Sequence, residues 1–569
     1  MVKFTFSAEN ANQQYVHITA SFSSKTDVTL IQLPSWRPGR YELGNFAKNV
    51  RNFKVFDDKN QLIPSNKVTK DQWSVDTRHT ENIRVEYNYY AAELNAGSTF
   101  LDDTQLYVNP VNCCVFTKET FNQEVEISLT IPYSWEVASS MKKEGTVWKV
   151  ENTEELLDTP FIASAGLQHR TYEVGGTLFY VWFNGEVKPD WDRLLKDFEA
   201  FTISQIEKFS EFPVEEYHFL NQIVPYKAYH GVEHQKSTVI YLGPSYAVFE
   251  EYYSELLGVS SHELYHTWNV KAIRPIDMYP YDFTQENYSE LGYICEGVTT
   301  YQGDLFLLKS GVFNLDQYFK ELTNQLQRHF DNPGRFHYSV AESSFDTWLD
   351  GYVPGAPGRK VSIYTEGCLL AFVTDVMIRR ETGDKYGLDE VMKRLYFDFA
   401  LQNKGVSGED YQKMVETVAG TSFQSFFDDY FYGTRPFESI IVESLEYLGI
   451  DLEHSPSPVY SEGKLGFKAQ KTENGFTIKA MFPGSPAEIA GLMLEDEIVA
   501  VNNYHCDGEL NKWLSYFDDD VKTVTVRRAG RMLSFVLPEV NRFFYNKYSL
   551  KLMKDPNSHQ QKALRHWMK

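Results

Sequence analysis

A multidomain α+β protein is predicted, with an N-terminal β-sandwich, a mainly helical middle region and a small strand-rich module near the C-terminus. Three observations predict it. The 569 residues exceed what one core organises, since domains typically hold ~100–200 residues. The hydrophobic pattern changes period twice along the chain. An apolar fraction of 42% with 15% aromatics supplies packed cores rather than wholesale disorder.

The first unit, 1–172, rests on short alternating segments. YVHITASFS, VTLIQLP, IRVEYNYYAAEL, VEISLTIP and LFYVWFN read as strands separated by Pro, Gly, Asn and Asp clusters. Helical pattern is scarce there, which favours a sandwich. In 173–453 the period lengthens. DWDRLLKDFEAFTISQIEKFSEF spaces apolar residues three and four apart, which predicts a helix. A strand is expected at 239–242, and helices over 246–270, 292–309, 315–329, 364–381 and 388–401. HSPSPVYSEGK (454–464) is rich in Pro and Ser and reads as a linker. It opens a third unit, 454–540, of short strands. The tail, 541–569, is expected to pack as a helix or to fray.

The formal charge is −23, from 55 basic and 78 acidic residues, a field that repels phosphate backbones and argues against nucleic acid as a ligand. No run of eighteen apolar residues predicts a membrane span. The opening MVKFTFSAEN lacks the regions of a secretory signal. The five cysteines form no C-x-x-C pair, and their odd number is a poor disulfide framework. A reducing cytoplasm is the expected location.

The chemistry concentrates in SHELYHTWNV. On a helix, His262 and His266 of this H-E-x-x-H pattern lie one turn apart on one face. Two imidazoles so placed reach one tetrahedral zinc ion at ~2.0–2.1 Å. Glu263 then stands beside the open position, where a carboxylate can take a proton from a water acidified by the metal. A catalytic zinc needs a third protein ligand. Glu296, thirty residues after His266 in LGYICEGVTTYQGDL, is the candidate, although a first-turn Glu also answers to the helix dipole.

HELYHTWNVKAIRP followed by CEGVTTYQGDL resembles the glycyl aminopeptidase family of zinc metallopeptidases, relatives of thermolysin and the alanyl aminopeptidases that use a Glu ligand. The resemblance extends to LPSWRPGRYELGNFAKNV (33–50), GVEHQKST (231–238), SFDTW (344–348) and YTEGCLLAFVTDVMIRRETG (364–383). It implies a thermolysin-like catalytic domain holding one zinc ion per chain on His262, His266 and Glu296, with Glu263 as general base. It further implies that Glu233, with Gly231, binds the free α-amino group of a peptide, and that Tyr364 donates to the oxyanion. The chain departs from the family pattern at Ala272, Gln302 and Glu366, where Arg, Tyr and Lys are common. His230, His234, His329 and His337 read as structural or solvated.

The C-terminal module resembles a PDZ domain. Lys464-Leu465-Gly466-Phe467 looks like the loop whose N–H groups receive a peptide carboxylate, and VKTVTVRRAGRMLSFVLP reads as a hairpin turning at Ala529-Gly530. A module of this kind can capture a peptide C-terminus or simply pack. The functional expectation is therefore a cytoplasmic zinc aminopeptidase acting on peptides that begin with Gly or Ala. A zinc endopeptidase using the same site, or a peptide-binding protein with a vestigial site, are the alternatives.

Overall fold

Strict alternation builds the N-terminal domain. In the computed structural model, which describes residues 1–353, 355–473 and 475–569, Tyr15–Ser23 and Asn82–Tyr90 bury every second side chain. Such strands turn one face to a core and one to solvent. They sit in an eight-stranded sheet in which Val2–Ser7 pairs antiparallel with Tyr15–Ser23 and parallel with Val125–Thr130. A four-stranded and a three-stranded sheet complete this β-rich domain.

One sequence expectation is corrected here. LFYVWFN, grouped above with the N-terminal strands, forms Thr177–Asn184 in a separate five-stranded sheet of the helical domain. It runs parallel to Glu216–Ile223, which runs parallel to Ser237–Gly243. Parallel strands covered on both faces read as continuous apolar runs, which hides which sheet they belong to. Ala228–Glu233 is one of its two edge strands, paired antiparallel with Ser237–Gly243 alone among the described residues.

The helices fall close to their expected places. Trp191–Phe209 is capped by the Asp190 side chain accepting from the Arg193 N–H, and ends in left-handed Ser210. Leu315–Asp331 carries a reciprocal Asn314/Gln317 capping box, and Ile363–Thr382 starts at Ser362 and stops at left-handed Gly383. The H-E-x-x-H helix is shorter than expected, Tyr253–Tyr265 rather than 246–270. Before it, the backbone turns, with the Ser245 N–H donating to the Val224 carbonyl. After it, Val270 adopts φ 117°, a region costly for a β-branched residue, and the helix cannot continue.

The expected linker is ordered. Ile450–Pro456 pairs along its whole length with Asn546–Leu552, so both ends of the small module return to one two-stranded ribbon on the helical domain. The Ala529-Gly530 turn is present, with φ of 48° and 77° between Arg528 and Arg531. The tail does not fray. Ser558–Trp567 is a helix that seats Trp567 against Tyr318 and Phe372, with the indole N–H donating to the Tyr301 hydroxyl. Among the described residues no helix is long and apolar enough to cross a membrane.

The N-terminal domain is welded to the helical one. Trp36 packs on Tyr281, Phe283 and Trp348, and its indole N–H donates to the Asp282 carbonyl at 2.7 Å. A second shared core joins Ala96, Tyr107 and Ile162 to Trp182, Leu220 and Val239 of the five-stranded sheet.

Candidate metal centre

Two helices and a strand deliver the site. His262 lies in the last turn of Tyr253–Tyr265, and His266 follows as its C-cap. Glu296 comes from the π-helical turn Tyr293–Val298, which runs into the helix Thr299–Lys309. Such an inserted residue re-aims side chains and is common at functional sites. The two helices approach closely because Gly303 faces His262, where a Cβ would lie 2.9 Å from the His262 Cα.

The expected ligand triad converges. Nε2 of His262 and Nε2 of His266 are 2.9 Å apart, and Oε2 of Glu296 lies 3.6 and 3.4 Å from them. Three donors around a tetrahedral ion at ~2.0–2.1 Å stand about 3.3 Å from one another, so these residues fit a zinc ion. His266 Nδ1–H donates to the Asn269 carbonyl at 2.8 Å, which leaves Nε2 with its lone pair towards the centre. Val270, at φ 117°, follows directly. The Asn269 amide donates to the Ile294 carbonyl at 2.8 Å and the Thr299 hydroxyl at 3.0 Å, tying one ligand helix to the other.

The electrostatics are those of a cation site. Against the cost of burial, Glu296 lifts the His266 imidazole above its usual range. Burial, with His266 beside it, lowers His262. Despite its own burial, Glu296 is held well below the usual carboxylate range by His266 and His262. Burial pushes the Glu263 carboxyl up, with Glu233 and Glu296 adding to the rise.

Glu233 and Glu263 join His266 in a second group of donors within 4.8 Å of one another. Glu233 and Glu263 are both buried, and among the described residues neither Oε1 of Glu233 nor Oε2 of Glu263 has a hydrogen-bond partner. Gly231 serves here in a way its sequence context does not suggest. A Cβ at this position would stand 2.1 Å from Glu263 Oε1 and 2.8 Å from Val259. Tyr364 has its ring 6.5 Å from that of His262, and burial, together with Glu296 and Tyr352, pushes its phenol up.

The histidines set aside on sequence have other tasks. His234 Nδ1 is 3.2 Å from Asp158, which Lys271 Nζ also meets at 2.7 Å. His329 is buried against the Glu366 carboxylate at 2.8 Å, which accounts for an acid where the family commonly shows Lys. Burial, with Arg37 and Arg40 nearby, lowers His230 to about 3, so it is neutral. His337 is exposed.

Sequence reasoning missed one wall of the site. The loop after Trp36 crosses from the N-terminal domain to Glu233. Gly39, at φ 77°, leaves the Glu233 carboxylate no room for a Cβ. Arg37 is buried and its charge acts on Glu233, and Tyr41 is buried with its hydroxyl unpartnered among the described residues. The signal was WRPGRY, a dense Arg, Gly and Tyr motif in a β-domain that strand formation alone does not need.

Residues 3–165 match the Peptidase M61 N-terminal domain, and residues 255–370 match M61 glycyl aminopeptidase. A crystal structure of an aminopeptidase N family protein from Idiomarina loihiensis superposes with a TM-score of 0.91 over 100% of both chains, at 24% identity. An M1 zinc metallopeptidase mutant from Deinococcus radiodurans, bound to a Tyr-Ser-Ala substrate, aligns at 12% identity and TM-score 0.48, covering 76% of this chain and 94% of that one. No curated protein matches the sequence. The chain is a metallopeptidase, a hydrolase. More particularly, the segment that carries the candidate ligands, 255–370, matches the M61 glycyl aminopeptidase model, and the domain ahead of it matches the M61 N-terminal domain model.

Proposed function

We propose that this protein is a zinc-dependent aminopeptidase that removes small first residues, Gly or Ala, from peptides with a free amino terminus. His262, His266 and Glu296 would hold one zinc ion. That ion supplies a Lewis acid for the scissile carbonyl and acidifies water. Glu263 takes the proton of the attacking water and returns it to the leaving amine. Tyr364 donates its hydroxyl to the developing oxyanion, and removing such a donor typically costs ~10²–10³ in turnover. Glu233 accepts the α-ammonium and so discriminates against a mid-chain amide.

One observation carries the reading: Glu233 is buried and partnerless at the end of the site that Arg37 and Gly39 close. A wall so near the amine site favours a first residue with little or no side chain. The free edge of Ala228–Glu233 suits the peptide backbone, as sheet edges do. Hydrolysis of glycine and alanine anilides, with and without chelator, tests the proposal. Chelator-insensitive hydrolysis, or none, rejects it. An acetylated peptide cleaved as fast as the free one would favour an endopeptidase.

The finer architecture belongs to the same proposal. The helical domain is thermolysin-like and the C-terminal module PDZ-like, with Phe467–Lys471 as its edge strand. Lys468 of that strand meets Asp331 at 2.5 Å, which supports a packing role over capture of a peptide C-terminus. Five buried free thiols support a reducing compartment such as the cytoplasm.

A further inference from the structure

On the aminopeptidase reading above, the first residue of a bound peptide is fixed at two points. Its ammonium lies at Glu233, and its carbonyl lies between the metal and Tyr364. Its side chain therefore leaves into the space between the loop 36–41, whose Gly39 abuts Glu233, and the start of the helix Ile363–Thr382, which carries Tyr364.

Tyr352 stands between those two elements. Its ring centre is 6.4 Å from that of Tyr364, whose ring is in turn 6.5 Å from that of His262. The Arg40 guanidinium, next in sequence to Gly39, lies 5.2 Å from the centre of the Tyr352 ring, within cation–π range. The Tyr352 side chain is 38% exposed, so it borders open space rather than a filled core.

The backbone that carries this ring is anchored on both sides. Gly351 has φ 56°, and a Cβ there would collide with the Glu42 carboxylate, which Arg40 also meets. Lys360 Nζ donates to the carbonyls of Asp346 and Gly351 at 3.3 Å each. Asp350 pairs with Lys360 and with Arg359.

The two phenol rings border a recess of about 190 Å³, whose lining includes Val361 and Ile363, both buried. Among the described residues, neither Glu233 nor any of the three candidate metal ligands lines it. Its size suits a side chain, since an apolar cavity of ~150 Å³ accepts a benzene ring.

We propose that Tyr352 is the specificity-determining residue of the site: its ring closes the recess to the first residue of a substrate and so limits that residue to Gly or Ala. One methylene more or less in a pocket changes preference by ~10–200-fold, and an aromatic ring is a larger obstruction.

The test compares kcat/KM for leucine and glycine anilides on the full-length metal-loaded protein. The native protein is expected to favour glycine. In Tyr352→Ala the leucine-to-glycine ratio should rise by about tenfold or more, because the recess now opens to the side chain. Tyr352→Phe keeps the ring and should keep the native ratio. Filling the recess in Tyr352→Ala/Val361→Phe should cancel the gain. Metal analysis of each variant checks that the site is intact, and Tyr352→Ser repeats the measurement should the alanine variant lose metal. An unchanged ratio in the truncated variants, an equal rise in Tyr352→Phe, or a gain that survives Val361→Phe overturns the assignment alone. No hydrolysis of either anilide by the native protein would overturn the aminopeptidase reading and this assignment with it.

Discussion

Gly231→Ala isolates the geometry on which the chemistry rests. The glycine backbone is not in the left-handed region, so an alanine meets no conformational penalty at this position. What it meets is the Glu263 carboxylate, 2.1 Å from the new methyl, and Val259 Cγ2 at 2.8 Å. Ordinary contacts of this kind begin near 3.4 Å, so the carboxylate must retreat by about 1 Å. A 1 Å displacement of a reacting group costs ~10²-fold in rate, or ~2.7 kcal/mol. The fold is spared, because a carboxylate at the end of a flexible side chain can move. The expected result is kcat for glycine anilide reduced about 100-fold with metal content at the native value. Circular dichroism and metal analysis separate this from collapse. Native kcat in the variant, or activity lost only together with the metal, would refute the assignment of Gly231 as the spacer that seats the base.

Three further outcomes are expected. His262→Ala, which removes one of the three converging donors, lowers the metal content of purified protein to background while its β-rich domain stays folded, as seen by elemental analysis and limited proteolysis. Asp158→Asn weakens the joint between domains. Lys271 and His234 hold the Asp158 carboxyl below its usual range despite burial, so its contribution to stability is present above pH ~4 and is lost as the pH falls further. Stranding buried Lys271 costs about 3–5 kcal/mol at pH 7. Urea melts at pH 7 and pH 3 should show the gap between variant and native protein narrowing in acid, and a constant gap would contradict the assignment. Trp567→Ala opens a cavity between Tyr318 and Phe372 and strips the Tyr301 hydroxyl of a donor, for about 3–5 kcal/mol of destabilisation in the same assay.

Local signals were the legible part of this chain. The helix periods and the Ala529-Gly530 turn are each written within a few residues, and the structure keeps them, adding caps at Asp190, Asn314 and Ser362. The ligand helix was legible for the same reason, since His262 and His266 are one turn apart. Its length was not, because the helix stops where Asn269 and Val270 serve the metal centre rather than helix propensity. HSPSPVYSEGK carried the composition of a linker, yet its first residues are a strand completed by Asn546–Leu552, some ninety positions away. No local reading sees that partner. LFYVWFN was assigned to the wrong sheet because its pattern fits either one.

The closed end of the cleft shows why the two domains have to be considered together. Glu233 could be proposed from GVEH alone, but a lone buried carboxylate beside Glu263 and Glu296 would be a repulsive arrangement. The N-terminal domain changes that balance by placing the Arg37 guanidinium where its charge acts on Glu233. Gly39 at φ 77° lets the loop pass against the carboxylate, and Trp36, locked between Tyr281, Phe283 and Trp348, sets the position of the loop. A peptide extending past Glu233 would have to displace this welded joint. A peptide that ends in an ammonium there meets an acceptor already held in place. Under the proposed function, a preference for a free amino terminus would follow from the domain contact as much as from the metal centre, and loosening Trp36 should relax it before it affects the ligands.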